Sequence, residues 1–349
     1  MKQIKILFYY LVLRNTDRPL AGASTALLRA ASRLAAETDA FEIALSGDGV
    51  TRAERLGANL RIDPLPPKEN REQFLAGFDI VVFASHLGFF DGLAKPEGGK
   101  WALWQHCWEL MPDIPPSLGS FDLIVASSAI HKDNLVKLGC AGERVRVISN
   151  FVETADFRPG IFDYCPYSLV YSGALVPHKG VHILIEAMRL VAARRPEATL
   201  DVYGAADMWL DYEIGYDERL KSAAKGLPVA FHGPVALNRD MPGVFRSHSV
   251  FCLPSICETF PLTVIEAQAC GCIPVAHDAG GTRAALIDGQ TGFLYAPNTP
   301  EALAEAILTA FNRIQGDPDI RNRAAALVEA QFSGAPQTRL LLGLLRELA

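Results

Sequence analysis

The sequence lacks the excess of basic residues that marks nucleic-acid-binding proteins and the long apolar segments that mark membrane-spanning ones. Its net charge is -6, which argues against nucleic acid as the main partner because phosphate binding requires a basic footprint. Residues 1–155 carry 17 Lys/Arg against 18 Asp/Glu, and the rest carry 16 against 21, so neither half is a polybasic membrane patch. The opening run MKQIKILFYYLVL is too short to span a membrane, and no small-residue cleavage site follows it. We therefore expect it to form a buried first strand, with at most peripheral membrane contact.

Cysteine is present but in no pattern typical of a metal site or a disulfide framework. The count is odd, and the only close pair is separated by a single residue, which suits neither a zinc knuckle nor a redox motif. A reduced, cytoplasmic protein is the simplest interpretation. The seven residues are Cys107, Cys140, Cys165, Cys252, Cys257, Cys270 and Cys272.

What is present throughout is an alternation of short apolar runs with amphipathic stretches, which indicates parallel α/β units. Residues 153–167 interrupt this alternation with Pro159, Gly160 and Pro166, and they form the best candidate linker. We predict two Rossmann-like doubly wound domains, 1–155 and 156–335, with ligands bound in the cleft at the carboxyl ends of the strands. Strands are expected near 4–12, 42–46, 79–84, 101–105, 122–126, 145–149, 168–172, 199–203, 228–232, 249–253 and 273–276, and helices at 23–37, 128–138, 180–194, 261–270 and 301–314.

The last segment, 336–348, predicts an amphipathic helix. Its leucines recur at three- and four-residue spacing, which gives one apolar stripe that needs a partner. We expect this helix to return to the first domain; the alternative is that it caps the second domain's own sheet. The stripe consists of Leu340, Leu341, Leu344, Leu345 and Leu348.

The segment 252–294 carries the most chemical information. Pro261 is expected at the first position of a helix that Gly271 ends, and the helix N-terminus is a potential anion site. Glu258 and Glu266 are eight residues apart, on the order of 10 Å along a helix. Two carboxylates that flank an anion site suit a nucleotide sugar, because they accept hydrogen bonds from sugar hydroxyls. The alternative is a solvated Glu258 and a helix-surface Glu266.

At this point the sequence resembles a known family. Residues 254–292 resemble the donor site of family 4 retaining glycosyltransferases of the GT-B fold, through the Glu-x7-Glu element, the EAQACGCIPV run, the GG at 280–281 and the DGQTGFL loop. SNFVETADFRP (149–159) is similar to the family's inter-domain segment. SGALVPHKGVHILIEA (172–187) is similar to its phosphate loop.

The resemblance implies roles for residues of the second domain. Glu258 would bind the transferred sugar, Glu266 would hold the ribose, and Lys179 would neutralise the leaving diphosphate. Alone, Lys179 would be read as a solvated surface charge. Further donor-binding residues implied by the motifs are Gly173, Thr259, Phe260, Pro261, Leu262 and Thr263.

In the first domain the resemblance points to Gly22 and His106. Gly22 resembles the glycine loop where backbone approaches a ligand, although a plain turn glycine is the alternative. His106, after a strand, would lie by the transferred sugar, with a structural role as the alternative. Trp104 and Trp108 are candidates for an acceptor face. We expect the remaining histidines singled out to lie on the surface or behind the site: His86, His131, His178 and His248.

The chain departs from the family pattern at two places. Ala174 stands where many members carry an arginine, so diphosphate neutralisation would rest more on Lys179. Asn150-Phe151 replaces the usual Asn-Gly of the inter-domain segment. Arg283 follows the GG, but nothing in the sequence indicates that it reaches the donor.

Together these features predict a retaining, metal-independent hexosyltransferase of bacterial glycan or glycoconjugate biosynthesis. It would use a UDP- or GDP-linked sugar as co-substrate, no further cofactor, and a carbohydrate, lipid-linked or small-molecule acceptor. No metal-ligand cluster occurs in the sequence near Glu258. The alternatives are a non-catalytic nucleotide-sugar-binding protein, or an epimerase or phosphorylase on the same fold.

Overall fold

The computed structural model describes residues 3–16, 22–160, 164–206, 213–235 and 240–349. The chain divides into two compact units, the first formed by Met1–Asn150 with Gly334–Ala349 and the second by Phe151–Ser333. The first unit therefore ends at Asn150, before the linker candidate 153–167, whereas the sequence predicted its end at residue 155. Each unit is built on its own mainly parallel sheet.

The first unit has an eight-stranded sheet in the order β3-β4-β2-β1-β5-β6-β7-β8, in which only β3 runs antiparallel to its neighbour. Its strands are β1 (Ile4–Tyr9), β2 (Phe41–Ser46), β3 (Glu54–Arg55), β4 (Leu60–Ile62), β5 (Ile80–Ala84), β6 (Lys100–Trp104), β7 (Leu123–Ala126) and β8 (Val145–Val147). Its helices before the crossing to the second unit are α1 (Gly22–Glu37), α2 (Arg71–Ala76) and α3 (Ala129–Lys137).

The second unit has a six-stranded, all-parallel sheet in the order β11-β10-β9-β12-β13-β14. Its strands are β9 (Cys165–Ser172), β10 (Thr199–Tyr203), β11 (Val229–Gly233), β12 (His248–Leu253), β13 (Ile273–His277) and β14 (Phe293–Tyr295). Its helices are α4 (Val181–Arg194), α5 (Tyr216–Ala223), α6 (Met241–Ser247), α7 (Leu262–Ala269), α8 (Pro300–Gly316) and α9 (Ile320–Gln331).

The central strands are buried on both faces, as expected for parallel sheets covered by helices on each side. In β1 the residues from Ile6 to Tyr9 are completely buried, so the apolar run at the start of the sequence forms an inner strand as predicted. In β9 Leu169 and Tyr171 belong to one core cluster of the second unit, and Val170 belongs to the cluster on the other face. No helix in the described part of the chain is both long and apolar enough to cross a membrane.

Gly139 and Gly271 were both predicted to end helices, and they do so in the same way. Gly139 follows α3 with φ +101°, and Gly271 follows α7 with φ +76°. The Gly271 N–H donates to the Gln268 carbonyl and the Cys272 N–H to the Ala267 carbonyl, which is the paired bonding of a Schellman motif. Only glycine adopts this left-handed conformation without cost, so both stops could be located from the sequence.

The last helix, α10 (Gly334–Leu348), belongs to the first unit and packs against α1. Leu341 and Leu345 are buried, together with Thr338, whose hydroxyl donates to the Gly334 carbonyl. Leu340 is 54% exposed, so the prediction that it forms part of the packed stripe is wrong. The buried positions recur every three or four residues, which restricts the packed face to one narrow side of the helix.

Candidate functional site

The second unit's sheet reverses its winding between β9 and β12. From β9 the chain proceeds outward through β10 and β11, and it then returns to the other side of β9 for β12, β13 and β14. The loops that follow β9 and β12 therefore diverge at their carboxyl ends, where open parallel sheets bind ligands. The first loop carries Lys179 and the second carries Glu258.

Lys179 and Glu258 form an ion pair at this switch point. The Lys179 Nζ lies 2.8 Å from Glu258 Oε1, and the two side chains are only 19% and 14% exposed. The alternatives of a solvated lysine and a solvated glutamate are therefore wrong. Burial raises the pKa of Tyr171 well above its usual value, and the nearby charge of Glu258 contributes to this shift.

The backbone beneath Lys179 is held against the Glu258 loop. Lys179 ends a short 3₁₀ turn, Pro177–Lys179, and Gly180 follows with φ +71°. A Cβ at Gly180 would lie 2.1 Å from the Pro254 carbonyl oxygen, so only glycine permits this approach. The Ile256 N–H donates to the His178 carbonyl at 2.9 Å, which joins the two loops directly.

The Glu258 loop is also held from its other side, by the GG at 280–281. Gly280 has φ +56°, and a Cβ there would lie 2.3 Å from the Glu258 carbonyl oxygen. The Gly281 N–H donates to the same oxygen at 2.6 Å. The glycine pair therefore positions Glu258 through its backbone. The His277 Nδ1 is 2.9 Å from the Ser255 carbonyl oxygen, which adds a third attachment of this loop.

The predicted donor-binding run continues from Glu258 into α7. Thr259, Phe260, Pro261 and Leu262 are buried, and Thr263 is half-buried. Pro261 has φ -76° and ψ 105° and is the residue before the helix, so its predicted place as first helical residue is wrong by one position. The reason is that its ψ is extended, which leaves Leu262 to begin the helical conformation.

Glu266 is fully buried in α7. The alternative of a helix-surface glutamate is therefore wrong. Burial raises the pKa of the Cys270 thiol to about 12, and the charge of Glu266 one turn earlier contributes.

Gly173 and Ala174 open the loop that leads to Lys179. A Cβ at Gly173 would lie 2.9 Å from the Tyr171 hydroxyl oxygen, and that hydroxyl donates to the Ala174 carbonyl at 2.9 Å. Ala174 is 8% exposed. The loop therefore turns tightly over Tyr171.

A cavity of about 540 Å³ opens beside this loop, at the carboxyl ends of β10 and β11. Its walls combine backbone surfaces with the Phe231 ring, one lysine and two acidic side chains, Glu213 and Asp217. The residues that line it include Leu175, Gly204, Ala206, Lys221, Phe231 and Gly233.

In the first unit, His106 lies two residues beyond the end of β6. Its backbone N–H donates to the Ser85 hydroxyl oxygen at 2.9 Å, and its ring stacks on Trp104 with centroids 5.5 Å apart. Burial lowers the pKa of His106 to about 3, so the imidazole is neutral at pH 7. Ser85 is buried with φ +65°, a strained conformation for a residue other than glycine that no sequence pattern indicates.

The loop that carries His106 is fixed through its own carbonyl groups. Gln105 Nε2 donates to the Glu109 carbonyl at 2.7 Å, and Asn134 Nδ2 donates to the Trp108 carbonyl at 2.6 Å. The His131 Nε2 lies 3.1 Å from the Cys107 carbonyl oxygen. The Cys107 and Trp108 carbonyls are therefore held by side chains of α3, and the Glu109 carbonyl is held by Gln105 of the same loop.

His131 is fully buried, so it does not lie at the surface; it holds the loop that carries His106 from behind. Its Nδ1 accepts from the Ser127 N–H at 3.2 Å, which leaves Nε2 protonated to donate to the Cys107 carbonyl. Burial lowers the pKa of His131 to about 4.

The other histidines and Gly22 take unremarkable places. His248 is also buried, with Nε2 2.9 Å from Asp201 Oδ2, and not at the surface. His86 Nδ1 is 3.7 Å from Asp113 Oδ1. Gly22 is the first residue of α1, and an added Cβ would meet no atom within 4 Å. No contact with described protein atoms therefore requires glycine there.

A polar cluster missed by the sequence reasoning lies at the carboxyl ends of β1, β2 and β5, where the first sheet reverses its winding. The Tyr9 hydroxyl donates to Asp48 Oδ1 at 3.2 Å and accepts from the Phe89 N–H at 2.9 Å. Asp113 Oδ2 accepts from the Leu87 and Gly88 N–H groups at 2.8 and 2.9 Å. The sequence signal for this cluster is the position of its residues, which follow the ends of strands next to the switch point.

Within the described ranges, no group of three or more His, Cys, Asp or Glu side chains is placed to hold a metal ion. The chain's single Asp-x-Asp, Asp317-Pro318-Asp319, lies between α8 and α9. Both of its carboxylates pair with Arg323 instead of facing the β9 and β12 loops.

Solved structures similar to this chain define its fold. Sucrose-phosphate synthase from Thermosynechococcus elongatus is 18% identical with a TM-score of 0.82 and covers 99% of both chains. HepE from Anabaena, solved in complex with UDP-glucose, is 20% identical with a TM-score of 0.82 and covers 99% of this chain and 100% of its own. The fold is GT-B, as predicted.

Sequence comparison gives more specific information on the second unit than structural comparison does. Residues 155–325 match the family model described as Glycosyl transferases group 1, so this part of the chain is a group 1 glycosyltransferase domain. The D-inositol 3-phosphate glycosyltransferase of Arthrobacter sp. (strain FB24) is 34% identical over 177 residues, which is 49% of this chain and 40% of the relative. That of Frankia alni is 30% identical over 240 residues, 64% of this chain and 57% of the relative. The chain thus spans about half the length of the curated relatives it matches.

Proposed function

We propose that this chain is a retaining, metal-independent glycosyltransferase that moves a hexose-type sugar from a nucleotide-diphosphate sugar to a hydroxyl acceptor. It needs no further cofactor, and it acts in the bacterial cytoplasm in glycan or glycoconjugate synthesis. The observation that carries the proposal is the buried Lys179–Glu258 pair at the β9/β12 switch point of a group 1 glycosyltransferase domain.

The chemistry of the pair suits the two ends of a sugar phosphate. The Lys179 ammonium offsets the charge that develops on the diphosphate as the glycosidic bond breaks, which is the kind of stabilisation that preorganised charges supply. The Glu258 carboxylate accepts charge-assisted hydrogen bonds from sugar hydroxyls. His106 of the first unit is neutral at pH 7, so its ring carries one donor and one acceptor nitrogen.

The rest of the donor has candidate partners in the same unit. The start of α7, at Leu262, presents backbone N–H groups to the diphosphate. The cavity beside β10 and β11 is large enough for a nucleobase, with the Phe231 side chain in its wall. HepE was solved with UDP-glucose and starch synthase IV from Arabidopsis thaliana with ADP, which supports a nucleotide-diphosphate ligand. We favour UDP or GDP.

Donor identity is the first quantity to measure. Thermal unfolding in the presence of UDP, GDP, ADP and CDP should show one nucleotide that raises the melting temperature, because a ligand that binds only the folded state stabilises it. Turnover of the matching labelled sugar nucleotide is then measured against an acceptor panel. D-inositol 3-phosphate belongs in that panel because it is named in the relatives, together with free sugars and lipid-linked glycans.

The outcomes of this assay separate the proposal from its alternatives. Nucleotide binding without turnover indicates a non-catalytic binding protein, and conversion of the donor sugar without an acceptor indicates an epimerase. A phosphorylase would show the absorbance of lysine-bound pyridoxal phosphate. NMR of the product should show retained anomeric configuration, and activity should survive EDTA. Inversion, or a requirement for a divalent ion, would refute the corresponding part of the proposal.

A further inference from the structure

The ion pair between Lys179 and Glu258 also bears on which ligands this site accepts. The two charged atoms are 2.8 Å apart and both side chains are largely buried, so little water screens them. A phosphate that binds Lys179 therefore comes close to the Glu258 carboxylate as well. We propose that Glu258 makes the site select an intact nucleotide sugar over the nucleoside diphosphate that lacks the sugar. This inference rests on the proposed function and adds a selectivity to its donor site.

The backbones that carry the two charges are fixed to each other. The Gly180 backbone packs against the Pro254 carbonyl, and the Ile256 N–H binds the His178 carbonyl, so the two loops are fixed to each other. The Glu258 carbonyl is held in addition by Gly280 and Gly281. The carboxylate therefore stays beside Lys179 when a phosphate binds.

The two ligands meet this arrangement differently. An intact donor places a phosphate on Lys179 and sugar hydroxyls on Glu258, so each member of the ion pair receives a new partner and the carboxylate becomes a charge-assisted acceptor. A nucleoside diphosphate gives a new partner to Lys179 only, because it has no sugar hydroxyls for Glu258. Its terminal phosphate carries more negative charge than the same phosphate esterified to a sugar, and no sugar hydroxyl offsets its repulsion of the Glu258 carboxylate. Once the sugar has been transferred, the same repulsion favours release of the diphosphate product.

Calorimetric titration tests this selectivity through one ratio, the Kd of a nucleoside diphosphate divided by the Kd of its sugar derivative. The probe pairs are UDP with UDP-glucose and GDP with GDP-mannose. We expect the ratio to exceed one in the wild-type protein. In Glu258→Gln, which removes the charge at nearly constant shape, the diphosphate should bind about tenfold tighter and the ratio should fall accordingly.

Two further variants keep the test decisive. Lys179→Gln leaves the Glu258 charge without its cation, so both ligands should weaken and the ratio should rise. Glu305→Gln is the matched control, because it also removes a carboxylate from an ion pair, with Arg194, but on the exposed surface of α8; its ratio should equal that of the wild type. If Glu258→Gln does not fold, Lys179→Gln and the charge-conserving Glu258→Asp, which should keep a ratio above one, carry the test.

A ratio at or below one in the wild type overturns the inference. So does a Glu258→Gln ratio within twofold of the wild-type value while both ligands bind. If the wild-type protein binds neither member of any pair, the proposed function itself fails, and this inference fails with it. The wild-type titration therefore distinguishes the two failures before any variant is measured.

Discussion

At the scale of single residues, the charged pair of the candidate site depends on glycines that let neighbouring backbones approach. Lys179 and Glu258 are 79 residues apart in the chain, yet Gly180 lets the Lys179 loop pack against Pro254 of the Glu258 loop, and Gly280 packs against Glu258 from the other side. The motif that contains these residues made their proximity predictable. The burial of Glu266 was not predictable, because its helix carries an apolar neighbour on every side and the sequence does not show which face is covered.

The first prediction concerns turnover. Glu258→Ala and Lys179→Ala should each lower kcat by a factor that corresponds to about 2–4 kcal/mol, the usual loss when a charge that stabilises a transition state is removed. The melting temperature should change much less. Steady-state kinetics and thermal unfolding of each variant, with Glu305→Ala as the control for loss of an exposed ion pair, make the comparison. Near-normal turnover in either variant would remove that residue from the reaction.

The second prediction concerns pH. His131 has a folded-state pKa lowered to about 4 by burial, whereas an unfolded histidine titrates near pH 6.5. Below about pH 6.5 the unfolded chain takes up a proton that the folded chain does not bind until about pH 4. Stability is therefore full above the unfolded pKa and is lost as the pH falls toward the folded one. The loss should be about 1.4 kcal/mol per pH unit.

Urea unfolding at pH 7, 6 and 5 measures this slope. His131→Gln should show a shallower decline than the wild type by about one proton, even if it is less stable at every pH. Equal slopes in the two proteins would show that His131 does not stay neutral in the fold. His106, with a pKa of about 3, should contribute in the same direction.

At the scale of elements, most strands and helices were predictable, but several short strands and four helices were not. The sequences of β5 and β12 contain continuous apolar runs, which are typical of buried parallel strands. The two-residue strand β3 and the three-residue strands β4 and β14 are too short to show any alternation. The helices α5 and α9, of eight and 12 residues, went unpredicted. So did the short helices α2 and α6, whose six and seven residues give less than two turns of periodicity.

The third prediction tests the loop that holds Glu258. Gly280→Ala should lower stability by about 1–3 kcal/mol, because alanine is strained at φ +56° and its Cβ would collide with the Glu258 carbonyl oxygen. It should also lower kcat more than it weakens nucleotide binding, since the carboxylate is displaced. The control is Gly343→Ala in α10, where an added Cβ meets nothing and helix propensity should raise stability by up to about 1 kcal/mol. Unaltered activity in Gly280→Ala would mean that the glycine pair does not position Glu258.

At the scale of the whole molecule, the chain leaves its first unit at Asn150 and returns to it at Gly334. The alternation of strands and helices was enough to predict two parallel units, because each pattern restarts after the break at 153–167. The crossing between Asn150 and Phe151 lies within 149–159, the stretch that resembles an inter-domain segment, although the break in the strand and helix pattern begins only at 153.

The last prediction tests how α10 contributes to the first unit. Leu345 is 1% exposed and lies on the face of α10 that packs toward α1, whereas Leu340 on the same helix is 54% exposed. Leu345→Ala should lower the stability of the first unit by about 2–5 kcal/mol, because it leaves a cavity as well as removing buried surface. Leu340→Ala should change it by less than about 0.5 kcal/mol, as is usual for exposed sites. Hydrogen exchange of the α1 amides reports on this unit specifically. If the two variants protect α1 equally well, α10 adds little to the first unit, even though the chain returns there.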